Sequence, residues 1–207
     1  GMEKNWVIKS QGSDADVLAL SRSLGISKVL ANLLVQRGIS SYNHARDFFR
    51  PKLEQLHDPF LMKDMDVAVQ RILEAIDHQE GVLIYGDYDV DGTTAVALMY
   101  SFLKDHIDQL DYYIPDRYSE GYGVSTAGID FAAEKGCRMI IALDCGIKAV
   151  EKVDYARTKG IDFIICDHHN PGEQLPDAVA VLDPKREDCP YPFKELSGCG
   201  VGFKLTQ

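Results

Sequence analysis

The sequence has neither a long apolar run nor an apolar leader. No stretch reaches the roughly 18 consecutive apolar residues that a transmembrane helix needs, so none is predicted. The first ten residues, GMEKNWVIKS, contain no apolar segment typical of a signal peptide, and Gly1 before Met2 resembles a remnant of tag removal. We therefore expect a protein without membrane attachment.

Paired cysteines and two common catalytic motifs are also missing. The five cysteines include no CxxC pair, which favours free thiols in a reducing cytoplasm over a disulfide framework or a zinc knuckle. Neither GxSxG nor GxxxxGK[ST] occurs, so the sequence indicates neither a serine-hydrolase elbow nor a P-loop.

Positive charge is scarce. The chain has 22 Lys and Arg against 32 Asp and Glu, a net charge of −10, which by itself argues against a nucleic-acid-binding protein. Part of this acidity lies in one predicted site. Any contact with nucleic acid must therefore come from local basic groups, from bound metal ions or from residues outside this chain.

The hydrophobic pattern predicts a helical N-terminal region, residues 1–65, and an α/β region, residues 66–207. In the first region apolar residues recur every three or four positions, and Ser27 and Ser41 are suited to cap helices. Predicted helices here and at the start of the second region span 16–24, 27–37, 41–49 and 66–77.

From residue 81 onward, short apolar segments alternate with helix-like segments. Strands are predicted at 82–86, 110–114, 138–143, 161–166 and 178–182. Helices are predicted at 93–105, 126–135, 147–159 and from about 200 onward. This alternation predicts right-handed βαβ units, and hence an α/β fold with a mainly parallel sheet and helices on both faces.

Three aspartates follow the first of these strands, in the segment VLIYGDYDVDG at 82–92. Alternate residues of an extended segment point the same way, so we expect Asp87, Asp89 and Asp91 to project together. Like charges this close need a cation among them. A hard divalent metal with oxygen ligands is the natural candidate.

Two later strands end in similar groups. MIIALDCGI ends its apolar run at Asp144, and DFIICDHHN ends at the Asp-His-His triplet 167–169. Carboxyl ends of parallel strands meet at one edge, where ligands bind. A solvated acidic turn would not explain the same placement on three strands. A calcium loop of the EF-hand type starting at Asp87 would need Glu at position twelve, which is Leu98.

We interpret the three motifs as a di-metal site. Carboxylates with one or two imidazoles suit manganese or magnesium, with manganese favoured by the nitrogen ligands and zinc less favoured. Two such ions about 3.5–4 Å apart activate a water and stabilise the oxygens of an in-line displacement at phosphorus. The sequence thus predicts hydrolysis of a phosphoester or a phosphoanhydride.

Two loops have open interpretations. In IPDRYSEGYGVS, 114–125, Arg117 either pairs with a phosphate or lies in an ordinary surface turn. In LSGCGVGFK, 196–204, glycines such as Gly200 either present N–H groups to an anion or allow tight helix–sheet packing.

With GDYDVDG, DCG and DHH in this order on successive strands, the chain resembles the DHH phosphoesterase superfamily. The segments RGISS, DPFLMKDMDVAVQRILEAI, IPDRYSEGYG, LPDAVAVLDP and YPFKELSGCGVGFK make it similar, over nearly its whole length, to the bacterial exonucleases specific for single-stranded DNA. This resemblance implies a metal-dependent 5′-to-3′ exonuclease acting in DNA recombination and repair, with two Mn²⁺ or Mg²⁺ ions. It also implies a single-strand-binding protein and a recombination helicase as partners.

The resemblance also implies roles for individual residues. The positions that match the family's metal-site and catalytic residues are Asp89, Asp91, Asp144, His168 and His169. Asp87 is assigned as a further ligand, and Asp167 as the carboxylate that orients a histidine. One histidine, assigned as His168, binds metal, and the other, His169, contacts a phosphate oxygen or acts as general acid. Arg117 and Gly200 are assigned to the substrate.

Members of the family carry a further metal-binding aspartate, a second domain and a nucleic-acid-binding barrel beyond the Gly-rich loop. We therefore expect this chain to be C-terminally truncated, to bind metal weakly and to be poorly active. An alternative is a family phosphodiesterase or phosphatase acting on short oligonucleotides, nucleoside bisphosphates, cyclic dinucleotides or pyrophosphate. A non-catalytic scaffold is a third interpretation, which the intact acidic set disfavours.

Overall fold

The chain divides into two units, one ending at Leu56 and the other beginning at His57. The structure is a computed structural model that describes residues 4–207, so the predicted tag remnant at Gly1–Met2 lies outside the described residues. The sequence places the boundary after residue 65. In the structure residues 57–65 belong to the second unit, because Met62 and Met65 are buried in its core.

Three helices make up the first unit: α1 (Asp14–Leu24), α2 (Lys28–Val35) and α3 (Tyr42–Phe49), followed by a 3₁₀ turn at Leu53–Gln55. Each begins after a serine whose hydroxyl accepts the N–H three residues later, namely Ser13, Ser27 and Ser41. The two serine caps predicted from sequence are confirmed. The buried side chains of this unit are Val17, Leu20, Ala31, Leu34, Ile39 and Ala45.

The second unit contains a five-stranded sheet in which every neighbouring pair is parallel. Its strands are β1 (Gly81–Gly86), β2 (Leu110–Tyr113), β3 (Cys137–Leu143), β4 (Asp162–Cys166) and β5 (Ala180–Leu182), in the spatial order β2-β1-β3-β4-β5. A 3₁₀ turn at Pro59–Leu61 precedes them. The predicted α/β fold with a mainly parallel sheet is confirmed.

Five helices cover the two faces of the sheet: α4 (Met65–Asp77), α5 (Val90–Leu103), α6 (Thr126–Glu134), α7 (Val150–Thr158) and α8 (Gly198–Thr206). Alternate residues of β1 separate the faces: Ile84 packs with residues of α4, α5 and α8, whereas Leu83 packs with residues of α6 and α7. Burying each such side chain contributes about 1.5–3 kcal/mol. The strands are apolar throughout because both faces are covered.

The strand order reverses between β1 and β3. The chain leaves β1 through α5 on one face to reach β2, then returns through α6 on the other face to reach β3. The connection that leaves the carboxyl end of β1 runs to α5 on one face, and the one that leaves β3 runs to α7 on the other, so a crevice remains above these two strand ends. Ligands of open α/β sheets bind at this switch point, so the residues that follow β1 and β3 are placed for chemistry.

Helix α5 begins earlier than predicted, at Val90 instead of residue 93. Asp89 is its N-cap, and its carboxylate accepts the N–H of Gly92 at 2.9 Å. Because the chain turns helical at Val90, Asp91 lies within the helix, whereas Asp89 keeps an extended backbone as the N-cap. The expectation that three aspartates project side by side from an extended segment is therefore wrong.

Within residues 4–207, no single helix has the length and apolarity needed to cross a membrane. Helices α1 and α2 pass that test only when taken together, and they are bent by 118° at the break between them.

Candidate metal centre

An aspartate follows the carboxyl end of four of the five strands. Asp87, Asp144 and Asp167 follow β1, β3 and β4, as the sequence predicts, and Asp183 follows β5. All four are buried, with at most 2% of each residue exposed. Buried carboxylates need hydrogen bonds or a cation. The contacts of each aspartate therefore show whether protein donors satisfy it or whether it is left for a cation.

The first motif supplies carboxylates from three different settings. Asp87 is buried below the crevice, and neither of its side-chain oxygens accepts a hydrogen bond. Asp89 is exposed at the start of α5, and Asp91 lies in the first turn of that helix. Ligand oxygens of Asp87, Asp89 and Asp144 nevertheless lie within 4.8 Å of one another. Three carboxylates therefore converge from two strands although they are not in a row.

Asp144 occupies an unusual backbone position. Its φ of 61° lies in the left-handed region, which costs a non-glycine residue free energy and persists where the surrounding structure holds it. Its carboxylate is buried, and Oδ1 lies 3.1 Å from His168 Nε2 without accepting a hydrogen bond. The same His168 nitrogen lies 3.7 Å from Asp91 Oδ2. The imidazole thus closes a second group of ligands around Asp144.

Asp167 and His169 form a tightly connected pair. Oδ1 of Asp167 lies 2.6 Å from His169 Nδ1 and also accepts the N–H groups of His168 and His169, while Oδ2 accepts the N–H of Ile147. Because this carboxylate acts as an acceptor, Nδ1 of His169 carries the proton. Nε2 then keeps its lone pair and lies 3.1 Å from the hydroxyl of Tyr122. This geometry is the one predicted for Asp167 as an orienting carboxylate.

The Gly-rich segment contacts Asp91 through its backbone N–H groups. Gly198 N donates to Asp91 Oδ2 at 2.8 Å, and Cys199 N donates to Asp91 Oδ1 at 2.7 Å. The N–H of Gly200 donates to the hydroxyl of the N-cap Ser197 at 3.0 Å. The assignment of Gly200 to substrate binding therefore needs correction, since its N–H is already used within the helix cap.

The sequence of the second unit matches one family over most of its length. The model of the DHH family, N-terminal domain, matches residues 81–207. That range includes every strand and the whole crevice described above. The chain belongs to the DHH family.

Relatives of this DHH chain include exonucleases. The single-stranded-DNA-specific exonuclease RecJ of Bacillus subtilis is 45% identical over 201 residues, which cover 97% of this chain and 25% of that protein. A crystal structure of exonuclease RecJ bound to manganese is 30% identical, with a TM-score of 0.63, over 70% of this chain and 37% of that one. The chain therefore spans only about a quarter of the length of the Bacillus relative.

The fold also matches beyond the DHH domain itself. The crystal structure of RecJ in complex with Mn²⁺ from Thermus thermophilus has a TM-score of 0.72 and covers 96% of this chain, at 23% identity and 27% of its own length. At that identity the match shows the fold alone. The match extends into the first unit, which is helical as predicted.

The DHH domain presents donors that fit a divalent cation. Two groups of ligand atoms each lie within 4.8 Å: one from Asp87, Asp89 and Asp144, the other from Asp144, His168 and His169. Asp144 belongs to both. Three of the buried oxygens, two of Asp87 and Oδ1 of Asp144, accept no hydrogen bond from the protein. Buried carboxylate oxygens without donors indicate a cation, and mixed carboxylate and imidazole ligands suit Mn²⁺ or Mg²⁺.

Arg117 of the DHH domain lies on the exposed loop between β2 and α6. Its guanidinium carbon is 4.8 Å from the ring centroid of Tyr88, next to the first motif. Glu120 fastens the base of this loop, because its carboxylate accepts the hydroxyls of Tyr113 and Ser125. The assignment of Arg117 to the substrate stays a prediction.

Sequence reasoning missed two residues of this edge. Asp183 is fully buried beside the DHH triplet, and its Oδ2 accepts no hydrogen bond, while Lys185 N donates to Oδ1. The signal was present, since Asp183 follows a predicted strand just as Asp144 and Asp167 do. Tyr122, which lies against His169, had no such signal because the contact joins residues 47 positions apart.

We expect the metal-free protein to lose stability as the pH rises from about 4 to about 8. Burial, together with the Asp91 and Asp89 carboxylates, raises the pKa of Asp144 from 3.8 to about 8, and burial raises the pKa of Asp183 to about 7. Within this window the native state binds protons that the unfolded state has released, so the free energy of unfolding falls with pH.

Thermal unfolding in chelator at several pH values between about 5 and about 8.5 measures this effect. Added Mn²⁺ is expected to remove most of the decline, because the cation replaces the protons and its apparent affinity rises with pH. A melting temperature that rises with pH in chelator would contradict the pKa shifts of these buried carboxyls.

Proposed function

We propose that this chain carries the catalytic centre of a metal-dependent 5′-to-3′ exonuclease that hydrolyses phosphodiester bonds of single-stranded DNA in recombination and repair. The observation that carries the proposal is the pair of ligand groups that share Asp144 at the switch point of the sheet. The 45% identity to a RecJ exonuclease supports it. The proposed setting is the cytoplasm.

The proposed ligands are Asp87, Asp89, Asp91, Asp144 and His168. Manganese or magnesium ions bound there would supply charge neutralisation and activate water for attack on phosphorus. The chain's own residues would hold the ions: strand ends position Asp87, Asp144 and His168, and the start of α5 positions the others. The net charge of −10 is then partly offset at the site where DNA must approach.

His169 is the proposed contact for the reacting phosphate. Asp167 accepts the Nδ1 proton of His169 and so fixes the orientation of the ring, and in its protonated form the ring can donate from Nε2 a hydrogen bond to a phosphate oxygen or a proton to the leaving-group oxygen. Its side chain is 43% exposed, which leaves it accessible from the crevice. Arg117, also exposed, is the proposed contact for a second phosphate of the strand.

Partners are proposed only at the level of chemistry and family. Single-stranded DNA is the substrate, because RecJ relatives are named for that specificity. A single-strand-binding protein and a recombination helicase are the proposed protein partners, since such proteins produce and cover the strand that the enzyme would digest.

A digestion assay tests the proposed function. The substrates are an oligonucleotide labelled at its 5′ or its 3′ end, the matching duplex and a dinucleotide, each with MnCl₂. We expect labelled mononucleotide first from the 5′-labelled single strand, with the duplex spared. We also expect a longer protein that contains this chain to hydrolyse single-stranded DNA faster than residues 1–207 alone.

Three outcomes would contradict this proposal. Release from the 3′ end first would reverse the polarity. Turnover of the dinucleotide alone would favour a DHH phosphodiesterase of small substrates. Metal binding without hydrolysis by either protein would favour a scaffold.

A further inference from the structure

The Gly-rich segment that begins α8 has no role in the function proposed above. It brings an uncommon density of glycine, at Gly198, Gly200 and Gly202, into the first turns of a helix. Glycine in a helix interior costs about 0.5–1 kcal/mol relative to alanine. Such a cost indicates that close approach of the backbone is needed, and the contacts of each glycine show where.

The first contact joins α8 to the first acidic motif. The N–H groups of Gly198 and Cys199 donate to the two oxygens of Asp91 at 2.8 and 2.7 Å, so the carboxylate is held at both atoms. Charge-assisted hydrogen bonds to a helix N-terminus fix a carboxylate in place. Each oxygen retains a lone pair for a cation. Asp91 Oδ2 also faces His168 Nε2.

The second contact joins α8 to Asp144. A Cβ atom on Gly198 would lie 2.6 Å from both Cβ and Cγ of Asp144, and still closer to Oδ1. These atoms belong to a buried side chain whose backbone is held at φ 61°, so it cannot easily move away. A Cβ on Gly200 would meet nothing closer than 3.4 Å, which is near ordinary van der Waals contact.

We propose that Gly198 and Cys199 are positioning residues that hold Asp91 and Asp144 at the spacing that binds the metal. The segment holds the carboxylate of Asp91 by two hydrogen bonds. It also packs against Asp144 at Gly198, where any larger residue would displace the Asp144 side chain. The Gly-rich loop thus serves the metal ligands rather than a substrate phosphate. This inference rests on the proposed function, because it presumes that a divalent cation binds there.

The test compares Gly198→Ala with Gly200→Ala, two matched changes in the first turn of the same helix. Mn²⁺ affinity is measured from the electron paramagnetic resonance signal of free Mn²⁺. We expect Gly198→Ala to weaken binding at least about tenfold, as for other residues that orient metal ligands. Gly200→Ala is expected to bind as the unchanged protein does. Thermal unfolding in chelator shows whether each variant is folded.

A folded Gly198→Ala variant with unchanged affinity would overturn the inference and leave the proposed function intact. Absence of Mn²⁺ binding by the unchanged protein would overturn the proposed function first. If Gly198→Ala does not fold, the inference is tested instead by NMR, from the amide resonances of the unchanged protein. On addition of Mg²⁺, the resonances of Gly198 and Cys199 are expected to shift while that of exposed Gly25, at the end of α1, stays in place. No shift at Gly198 and Cys199 would overturn the inference.

Discussion

Replacing Asp144 by Asn is expected to lower metal-dependent hydrolysis at least about a thousandfold, since the charge stabilisation that bound cations supply amounts to several kcal/mol. Asp144 is the only one of the described acidic residues that belongs to both groups of converging ligand atoms. Asparagine keeps the shape of the side chain and tolerates the left-handed φ of 61°. The substitution therefore removes the charge with little change to the backbone.

Asp144→Asn has a second expected effect: it lowers activity but should stabilise the metal-free protein. Above a pH of about 8 the buried Asp144 carboxylate is ionised among like charges, so Asp144→Asn should raise the melting temperature of the metal-free protein at a pH of about 8.5. Added Mn²⁺ should stabilise the unchanged protein but not the variant, because a ligand stabilises only the state that binds it.

Asp105→Asn, which removes an exposed carboxylate after α5, is the matched control for charge. It is expected to respond to Mn²⁺ as the unchanged protein does. An Asp144→Asn variant that keeps both its Mn²⁺ response and its hydrolytic rate would show that the two ligand groups do not form the catalytic centre.

Asp167→Asn is expected to destabilise the protein by about 2–3 kcal/mol, because an amide would leave a buried N–H donor without its acceptor. Asp167 is 1% exposed and accepts three backbone N–H groups in addition to Nδ1 of His169. Its loss also frees the His169 ring, for which we expect a further fall in activity of about 10–100-fold.

Urea unfolding, with the rate of hydrolysis measured under native conditions, separates these two effects. Asp177→Asn, in the same connection between β4 and β5, is the control. Its side chain is 79% exposed and pairs with Arg157, so the change in stability should stay within about 0.5 kcal/mol. Equal stability of the two variants would contradict the structural role of Asp167.

The strands and the location of the site could be predicted from local pattern. Most of the strands are short apolar segments followed by an acidic residue, and parallel pairing brings those ends to one edge. The predicted positions of Asp144 and of the DHH triplet followed from this rule. Asp183 obeys the same rule and could have been found by applying it to β5.

The arrangement within the first motif could not be predicted in the same way. Residues 89–92 could either continue the extended segment or begin a helix capped by Asp89. The apolar pattern does not distinguish these two conformations. The contact of Asp91 with α8 joins residues 107 positions apart, so no local signal indicates it. Tertiary packing therefore decided which carboxylates converge.

The domain boundary shows a related limit. Pro59 breaks the helical pattern, which suggested that the second region begins only at the following helix. In the structure the short turn at Pro59–Leu61 leads directly into Met62, whose side chain is 2% exposed in the core of the second unit. A helix-breaking residue such as Pro59 ends a helix or strand. The packing of the residues that follow it decides which of the two units they belong to.

Anomalous diffraction at the manganese edge, from crystals of this chain soaked in MnCl₂, tests the metal centre most directly. We predict a manganese peak within coordination distance of Asp144, flanked by Asp89 on one side and by His168 on the other. In a longer protein that contains this chain and the further ligand expected beyond it, we predict two peaks about 3.5–4 Å apart. Manganese at another place, or none beside Asp144, would contradict the assignment of this edge as the catalytic metal centre.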